Sequence, residues 1–361
     1  MGGRVALKGT DGAATLQLAR DRGATPLAPG RARRALQSLA DTDGSAIHVV
    51  AAPGSMGASL ARDAGLNVEA TGPATDAPTT AADTRLAATA MLGRQVELLL
   101  FAGGDGTARD IYDAIGADLP LLGIPAGVKM HSGVFAATPR AAGMAASAYL
   151  RASGAARLRE ADIADVDEEA QRVDRVATRL YGRARVPQQP RLMLGAKAAS
   201  LSSPDAGLDA LCRAIATEMQ PDSLYLLGPG TTTAAVLAHL GVRGTLLGVD
   251  AVRNAHIVAA DLDEAGLLAA LEWGGSVELI TGIIGGQGAL FGRGNRQLSA
   301  EVLRRVGPDR MRIICAADKL FALDPPMLRV DTGDDELDDE LCGYVQVHVA
   351  PGRTLVMNVS T

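Results

Sequence analysis

VELLLFAGGDGTARDIYDAIG occupies residues 96–116. Six of its first seven residues are apolar, which suits a strand buried on both faces of a parallel sheet. Gly103, Gly104, Asp105, Gly106 and Thr107 follow, and then a helix-like run. In a parallel sheet, ligands sit beyond the carboxyl ends of the strands. Glycines there admit positive φ and let a polyphosphate approach the backbone. The start of the next helix adds unpaired N–H groups and a partial positive charge. Asp105 does not serve that purpose, because a carboxylate repels phosphate. It suits binding of a phosphate-bound Mg²⁺, or removal of a proton from an attacking hydroxyl. The plain structural alternative is a tight strand–helix turn with Asp105 as N-cap. The stretch is neither a Walker A loop nor G-x-G-x-x-G.

A second turn, GIPAGVKMHSGVFA at residues 123–136, comes one β–α unit later and again runs from strand end through glycines to a short helix. Gly127 lies in it, Lys129 offers positive charge to phosphates, and His131 is either a polar liner or a structural histidine. Residues 47–50, 96–102 and 119–124 read as strands; 55–65, 79–94, 108–115 and 138–153 read as helices. Thr80 with Asp83 three residues on is a variant of the capping box, and Pro139 sits in a first helical turn. This βαβα rhythm implies a mainly parallel sheet covered on both faces. Residues 157–185 carry frequent charges and alternating stretches, and are expected to be antiparallel strands leading into a second domain. SLYLLG, TTTAAVLAHL, TLLGVD and VELITG then restore the β–α rhythm. The expected class is α/β. A Rossmann-like parallel-sheet domain covers residues 1–155 and a β-rich, α+β second domain covers 156–361, with a C-terminal segment that could return to the first.

The chain has 361 residues, 47% of them apolar but only 3% aromatic, so its cores rest on Ala, Val, Leu and Ile. A formal charge of −6 argues against nucleic acid or an anionic membrane as main partner. Cys212, Cys315 and Cys342 form neither a disulfide framework nor a C-x-x-C pair, which points to a reducing cytoplasm. No apolar run approaches the length of a transmembrane helix, and no His/Cys cluster suggests zinc. Residues 331–340 are acidic at seven of ten positions and read as a solvated face, with a cation site or partner contact as the alternatives. Residues 285–297 hold five glycines and two arginines, either as a cleft loop using Arg293 or Arg296 on phosphate or as a surface hairpin.

With these motifs in view, the chain resembles the ATP–NAD kinase family, in its acetoin-catabolism X (AcoX-like) branch. FAGGDGTARDI and GIPAGVKMHSGVFA carry the first half of the likeness. LYLLGPGTTTAAVLAHLGVRGTLLGVDAV, IGGQGALFGRGNRQLS and LRVDTGDDELDDELCGY carry the second. G-G-D-G-T alone is shared with diacylglycerol-type and sphingosine-type lipid kinases and phosphofructokinase-like folds. The resemblance implies an NAD kinase/diacylglycerol kinase-like fold with its active site between two domains. It implies ATP with Mg²⁺, or inorganic polyphosphate, as donor. NAD is then the substrate, phosphorylated on its adenosine 2′-hydroxyl. Carried over by position, Asp105 is the base and a weak Mg-phosphate contact. Gly103, Gly104, Gly106, Thr107, Gly127 and Lys129 bind nucleotide, and Lys8, Thr10 and Asp11 line the same cleft. Gly230, Thr231, Thr232 and Arg293 bind the acceptor. The family's Asn-Glu/Asp pair for the ribose has no clear equivalent, and Asp250 or Asn254 is expected to substitute. The family usually has an apolar strand ahead of the stretch MGGRVALKGTDG; either the true start lies upstream or the sheet has lost that strand, and the expectation is a sheet one strand short. A homo-oligomer, dimer or tetramer, is expected. Asp105→Asn is expected to abolish turnover with little loss of fold. The rival readings are a kinase of another hydroxyl acceptor, lipid or acetoin-related, and a nucleotide-binding regulator without catalysis.

Overall fold

Short apolar runs ending in glycine or proline, each followed by an alanine-rich amphipathic run, build the first half of the chain. The computed structural model describes residues 2–7, 13–44, 46–74, 79–127, 130–152, 157–166, 178–194 and 205–361. It divides into two compact units: Pro26–Gly195, and Met1–Thr25 together with Ala196–Thr361.

After α1 (Ala13–Asp21), which belongs to the other unit, the unit Pro26–Gly195 contains α2 (Ala28–Asp43), β1 (His48–Ala51), α3 (Ala58–Asp63), β2 (Asn67–Ala70), α4 (Ala81–Gly93), β3 (Leu99–Gly103), α5 (Asp105–Ile115), β4 (Leu121–Pro125), α6 (Pro139–Arg151), β5 (Leu158–Val166) and β6 (Thr178–Pro187). β1 pairs with β2 and β3 with β4, both parallel, while β5 and β6 form an antiparallel hairpin. Local chemistry sets the helix starts. The Asp83 carboxylate accepts the Thr80 N–H and hydroxyl, each at 2.7 Å, ahead of α4. Thr138 caps α6 by accepting Ala141 N–H at 3.1 Å, with Pro139 at the first position.

The core of this unit is built from β3, β4, the inner faces of α2, α5 and α6, and the β5–β6 hairpin. Gly123 sits inside β4 because Phe135 leaves no room for a side chain: a Cβ there would lie 2.3 Å from the Phe135 ring. Phe101 packs edge-on against the same ring, centroids 5.6 Å apart. Gly143 does the same for α6, bringing it against the Ala35 carbonyl of α2. Ile163, Ala184 and Val186 of the hairpin are fully buried in this core. Residues 157–194 therefore belong with the first unit, whereas the sequence reading opened its second domain at 156.

The other unit is built on one mixed sheet. Its strands are β7 (Leu224–Leu227), β8 (Val249–Arg253), β9 (His256–Leu262), β10 (Val277–Gly282), β11 (Ala289–Phe291), β12 (Met311–Ile314), β13 (Met327–Val330), β14 (Gly343–Ala350) and β15 (Arg353–Ser360). The order across the sheet is β11-β13-β15-β14-β12-β10-β7-β8-β9. β7, β10 and β12 run parallel at its centre, and β8 and β9 turn back antiparallel. Helices α7 (Ala206–Glu218), α8 (Thr231–His239), α9 (Glu264–Leu271), α10 (Ala300–Val306), α11 (Ala317–Phe321) and α12 (Asp335–Glu340) connect the strands.

The C-terminal strands stay in this sheet, β14 pairing with β12 and β15 with β13. It is the N-terminal end that crosses over. Gly2–Val5 form a 3-10 turn rather than a strand, and Gly3 rests against the Arg296 side chain. The acidic run is not a uniformly solvated face. Asp334 caps α12 by accepting Leu337 N–H at 3.0 Å and pairs with Arg304 at 2.8 Å. Asp338 is buried and accepts the Thr332 N–H at 2.8 Å and its hydroxyl at 2.6 Å. Among the described residues no group of three or more His, Cys, Asp or Glu side chains could hold a metal ion, and no helix is long and apolar enough to cross a membrane.

Candidate functional site

The register of β3 on β4 puts Gly103 opposite Pro125, so the two glycine turns leave the same carboxyl end of adjacent parallel strands. They touch directly. Ala126 N–H donates to the Gly103 carbonyl at 2.9 Å, and a Cβ on Gly104 would lie 3.6 Å from Gly127 Cα. Buried Asp105 completes the junction, as the first residue of α5. Its Oδ2 accepts His131 N–H at 2.7 Å and its Oδ1 accepts Ser132 N–H at 2.9 Å. A carboxylate has about four acceptor sites, so these two bonds do not by themselves exhaust it. Gly104, not Asp105, is the N-cap, and no side chain caps this helix. Its first N–H groups consequently have no intrahelical partner.

A left-handed backbone is not what the first turn requires: Gly103, Gly104 and Gly106 do not adopt positive φ. Gly103 is required by contact, since a Cβ there would lie 2.4 Å from Thr107 Oγ1. At Gly106 a Cβ would meet nothing within 4 Å, so the first turn of α5 has open space beside it. Ser132 is a member of this site that nothing in its own sequence neighbourhood signals. Its hydroxyl donates to the Ala164 carbonyl at 2.7 Å and accepts Ala164 N–H at 3.1 Å, tying the second turn to β5. Arg109, one turn into α5, pairs with Asp165 of β5 at 3.1 Å and lies over the Tyr181 ring. Lys8, Thr10, Asp11 and Lys129 lie outside the described residues.

The expected acceptor residues all lie on the second unit and are only partly brought together. Residues 228–232 follow β7 at its carboxyl end. Gly230 has φ +130, a conformation L side chains rarely adopt. The Thr233 hydroxyl holds the turn at the Gly228 and Gly230 carbonyls, at 2.5 and 3.0 Å. Thr231 is exposed and Thr232 half-buried. Asp250 lies at the same end, opposite Leu227, but its carboxylate is committed: it accepts Thr245 N–H at 2.6 Å, the Thr245 hydroxyl at 2.8 Å and Asp261 N–H at 2.9 Å. Asn254 sits in the β8–β9 turn, about 13 Å along the strand from Asp250 at the usual rise per residue. There it accepts Asp222 N–H and donates to the Asp222 carboxylate. The structure therefore does not assemble Asp250 and Asn254 into one pair. Arg293 is half-buried between Gly292 and Gly294, which both take positive φ. The loop around it is neither a surface hairpin nor freely exposed. Asn295 is fully buried, accepting Gly292 N–H and donating to the Leu290 carbonyl, and Arg296 is buried beside it.

A cavity of about 780 Å³ opens at the opposite, amino ends of β7, β10 and β12, with Tyr225, Glu278, Arg312 and His348 among its lining. None of the expected site residues contributes to it. Burial, and then the Arg312 guanidinium, hold the His348 pKa below its ordinary value.

Comparison with protein families agrees with both halves of this geometry. Residues 19–153 match the ATP-NAD kinase N-terminal domain and residues 221–359 match the ATP-NAD kinase C-terminal domain. No curated protein and no solved structure matches the chain. The first match contains both glycine turns with Asp105, and the second contains the sheet from its first described turn to β15. Together they span about three quarters of the sequence. The chain therefore belongs to the ATP–NAD kinase family, and it is a kinase-type enzyme.

Proposed function

We propose that this protein, as an AcoX-like member of its family, transfers the γ-phosphoryl group of ATP to the adenosine 2′-hydroxyl of NAD and so forms NADP. The observation that carries the reading is the junction of two glycine turns at the carboxyl ends of β3 and β4, latched by Asp105. The uncapped start of α5, with open space beside Gly106, suits phosphate oxygens. In this reading the 2′-oxygen attacks the γ-phosphorus while Asp105 takes the hydroxyl proton. A new P–O bond forms, the β–γ bridging bond breaks, and ADP leaves. Mg²⁺, when bound, would neutralise phosphate charge, with Asp105 as the residue that would contact it weakly. The remaining contribution of the chain is positioning and charge stabilisation. A reducing cytoplasm belongs to this reading, since Cys212 and Cys315 are buried free thiols that burial pushes up to about 11. So does a homo-oligomer, because among the described residues β9 ends the sheet with no further strand on its outer edge.

End-point detection of NADP from purified protein, ATP, Mg²⁺ and NAD tests the proposal, with polyphosphate as alternative donor. One observation favours a second reading, phosphorylation of another hydroxyl acceptor: Asp250 is internally committed and Asn254 lies at the far end of β8. ATP consumption with NAD, NADH, diols and a lipid alcohol separates the two readings.

A further inference from the structure

We propose that Lys319 is the anchor of a phosphate-binding site in the second unit, at the carboxyl ends of β7, β10 and β12, and that it holds a phosphate of the acceptor nucleotide. The ligand class rests on the NAD reading; the site itself rests on the following geometry.

β7, β10 and β12 are parallel neighbours, with Leu227 opposite Ile280 and Gly282 opposite Ile314. Three segments therefore leave the same end of the sheet: 228–232, 283–286 and 315–319. In α/β sheets this is the end where ligands bind. The segments are in contact. Gly228 N–H donates to the Ile280 carbonyl at 2.8 Å. A Cβ on Gly282 would lie 3.5 Å from Thr232 Cβ, so the second strand passes directly beneath the first turn of α8. On the next residue, the Ile283 carbonyl accepts a hydrogen bond from Lys319 Nζ. Lys319 and Thr232 thus both lie at the exit of β10.

An ammonium has three donors and no acceptor. The Ile283 carbonyl uses one. Among the described residues no carboxylate pairs with Lys319, although other basic side chains in this unit, such as Arg304, Arg305 and Arg312, have acidic partners. Loss of hydration lowers the Lys319 pKa, with only the neighbouring Cys315 acting in the opposite direction. A half-buried cation without counter-charge is a standing cost to the fold. An anionic ligand that supplies the missing charge would offset it. The Ile283 carbonyl takes one donor of Lys319, and Leu320 fills the core beneath, which leaves two donors for a ligand.

Calorimetric titration of the full chain with NAD, AMP, adenosine and inorganic phosphate tests the site. Lys319→Met is expected to weaken AMP and NAD by roughly 10- to 150-fold, the range for a hydrogen bond to a charged group. Adenosine affinity should be unchanged, and Lys319→Arg should recover part of the loss. Lys319→Gln is the second neutral variant should Met disturb folding, and thermal melting verifies each. Equal AMP affinity in wild type and either neutral variant overturns the proposal. So does a wild-type protein that binds AMP no better than adenosine. If the protein makes NADP and Lys319→Met leaves the KM for NAD unchanged, the inference fails while the NAD reading stands. If no NADP forms but AMP binding still depends on Lys319, the site stands and the acceptor assignment fails.

Discussion

Asp105→Asn is expected to loosen the first unit as well as to stop turnover. The carboxylate accepts one backbone N–H on each oxygen, from His131 and Ser132, in a buried position. An Asn side chain can accept only one of them. Its amide nitrogen would then face the other N–H, donor against donor. A hydrogen bond to a charged group is worth about 1.5–3 kcal/mol, and stranding a buried donor costs about 1–3 kcal/mol. These terms overlap, so a net loss of about 3 kcal/mol is expected. For a unit of this size that corresponds to a fall in Tm of roughly 6–12 °C. Urea denaturation measures the loss, and amide exchange at residues 131 and 132 locates it. An Asp105→Asn protein within about 0.5 kcal/mol of wild type, with those amides still protected, would refute the latch. The expectation from sequence was lost turnover with little loss of fold, with an N-cap role as the structural alternative. Any kinetic defect in this variant must therefore be read with His131 and Ser132 in mind.

Gly103→Ala would place a methyl group 2.4 Å from Thr107 Oγ1. Overpacking of that kind typically costs about 1–3 kcal/mol, and activity should fall with it in a paired melting and kinase assay. Asp250→Ala strands the Thr245 and Asp261 N–H groups and should destabilise the second unit by about 2–4 kcal/mol in chemical denaturation. A stable Asp250→Ala protein with a raised KM for NAD would instead restore its acceptor role. Asp43 is held below the usual carboxylate range by hydrogen bonds from Arg151 and then Ser147. Its contribution to joining α2 and α6 is present above an unfolded-state pKa of 3.8 and is lost as pH falls through the lower folded value. Asp43→Asn should flatten the acid limb of the stability–pH curve. For Lys319 the slope has the same sign: its folded pKa also lies below the unfolded 10.5, so stability rises as pH climbs from the folded to the unfolded value, here because burial penalises the charged form. Lys319→Met should remove that rise, while leaving the Ile283 carbonyl without this donor.

Local pattern was enough to locate most of the elements. An apolar run of strand length followed by glycines and an amphipathic run has few alternatives, so β3, α5 and β4 were legible from residues 96–125, whereas the short helix read after the second turn is replaced by isolated bridges at Phe135 and Ala136. The capping chemistry at Thr80–Asp83 and at Thr138–Pro139 is equally local, because the partners are at most three residues apart. The antiparallel hairpin at 157–185 was legible from its alternation. What escaped was everything that depends on a partner distant in sequence. Asp105 finds its acceptor roles 26 and 27 residues away, and a carboxylate in a glycine loop looks the same whether it faces a ligand or a neighbouring turn. Of the loop glycines only Gly103 is fixed by a contact, that with the Thr107 side chain, and Gly103, Gly104 and Gly106 do not use a left-handed φ.

The same distinction governs the second unit. Its sequence shows a turn at 228–232 and a strand at TLLGVD but not the strand order that sets Asp250 beside Leu227 and Asn254 at the opposite end. Lys319 is a single lysine in CAADKL, with no motif to draw attention to it. Only the parallel alignment of β7, β10 and β12 brings it to the exit of β10 beside Thr232. Backbone preference and hydrophobic period act over a few residues and are written in the chain. Which polar group meets which across the fold depends on how the sheets close, and that is a property of the packed molecule alone.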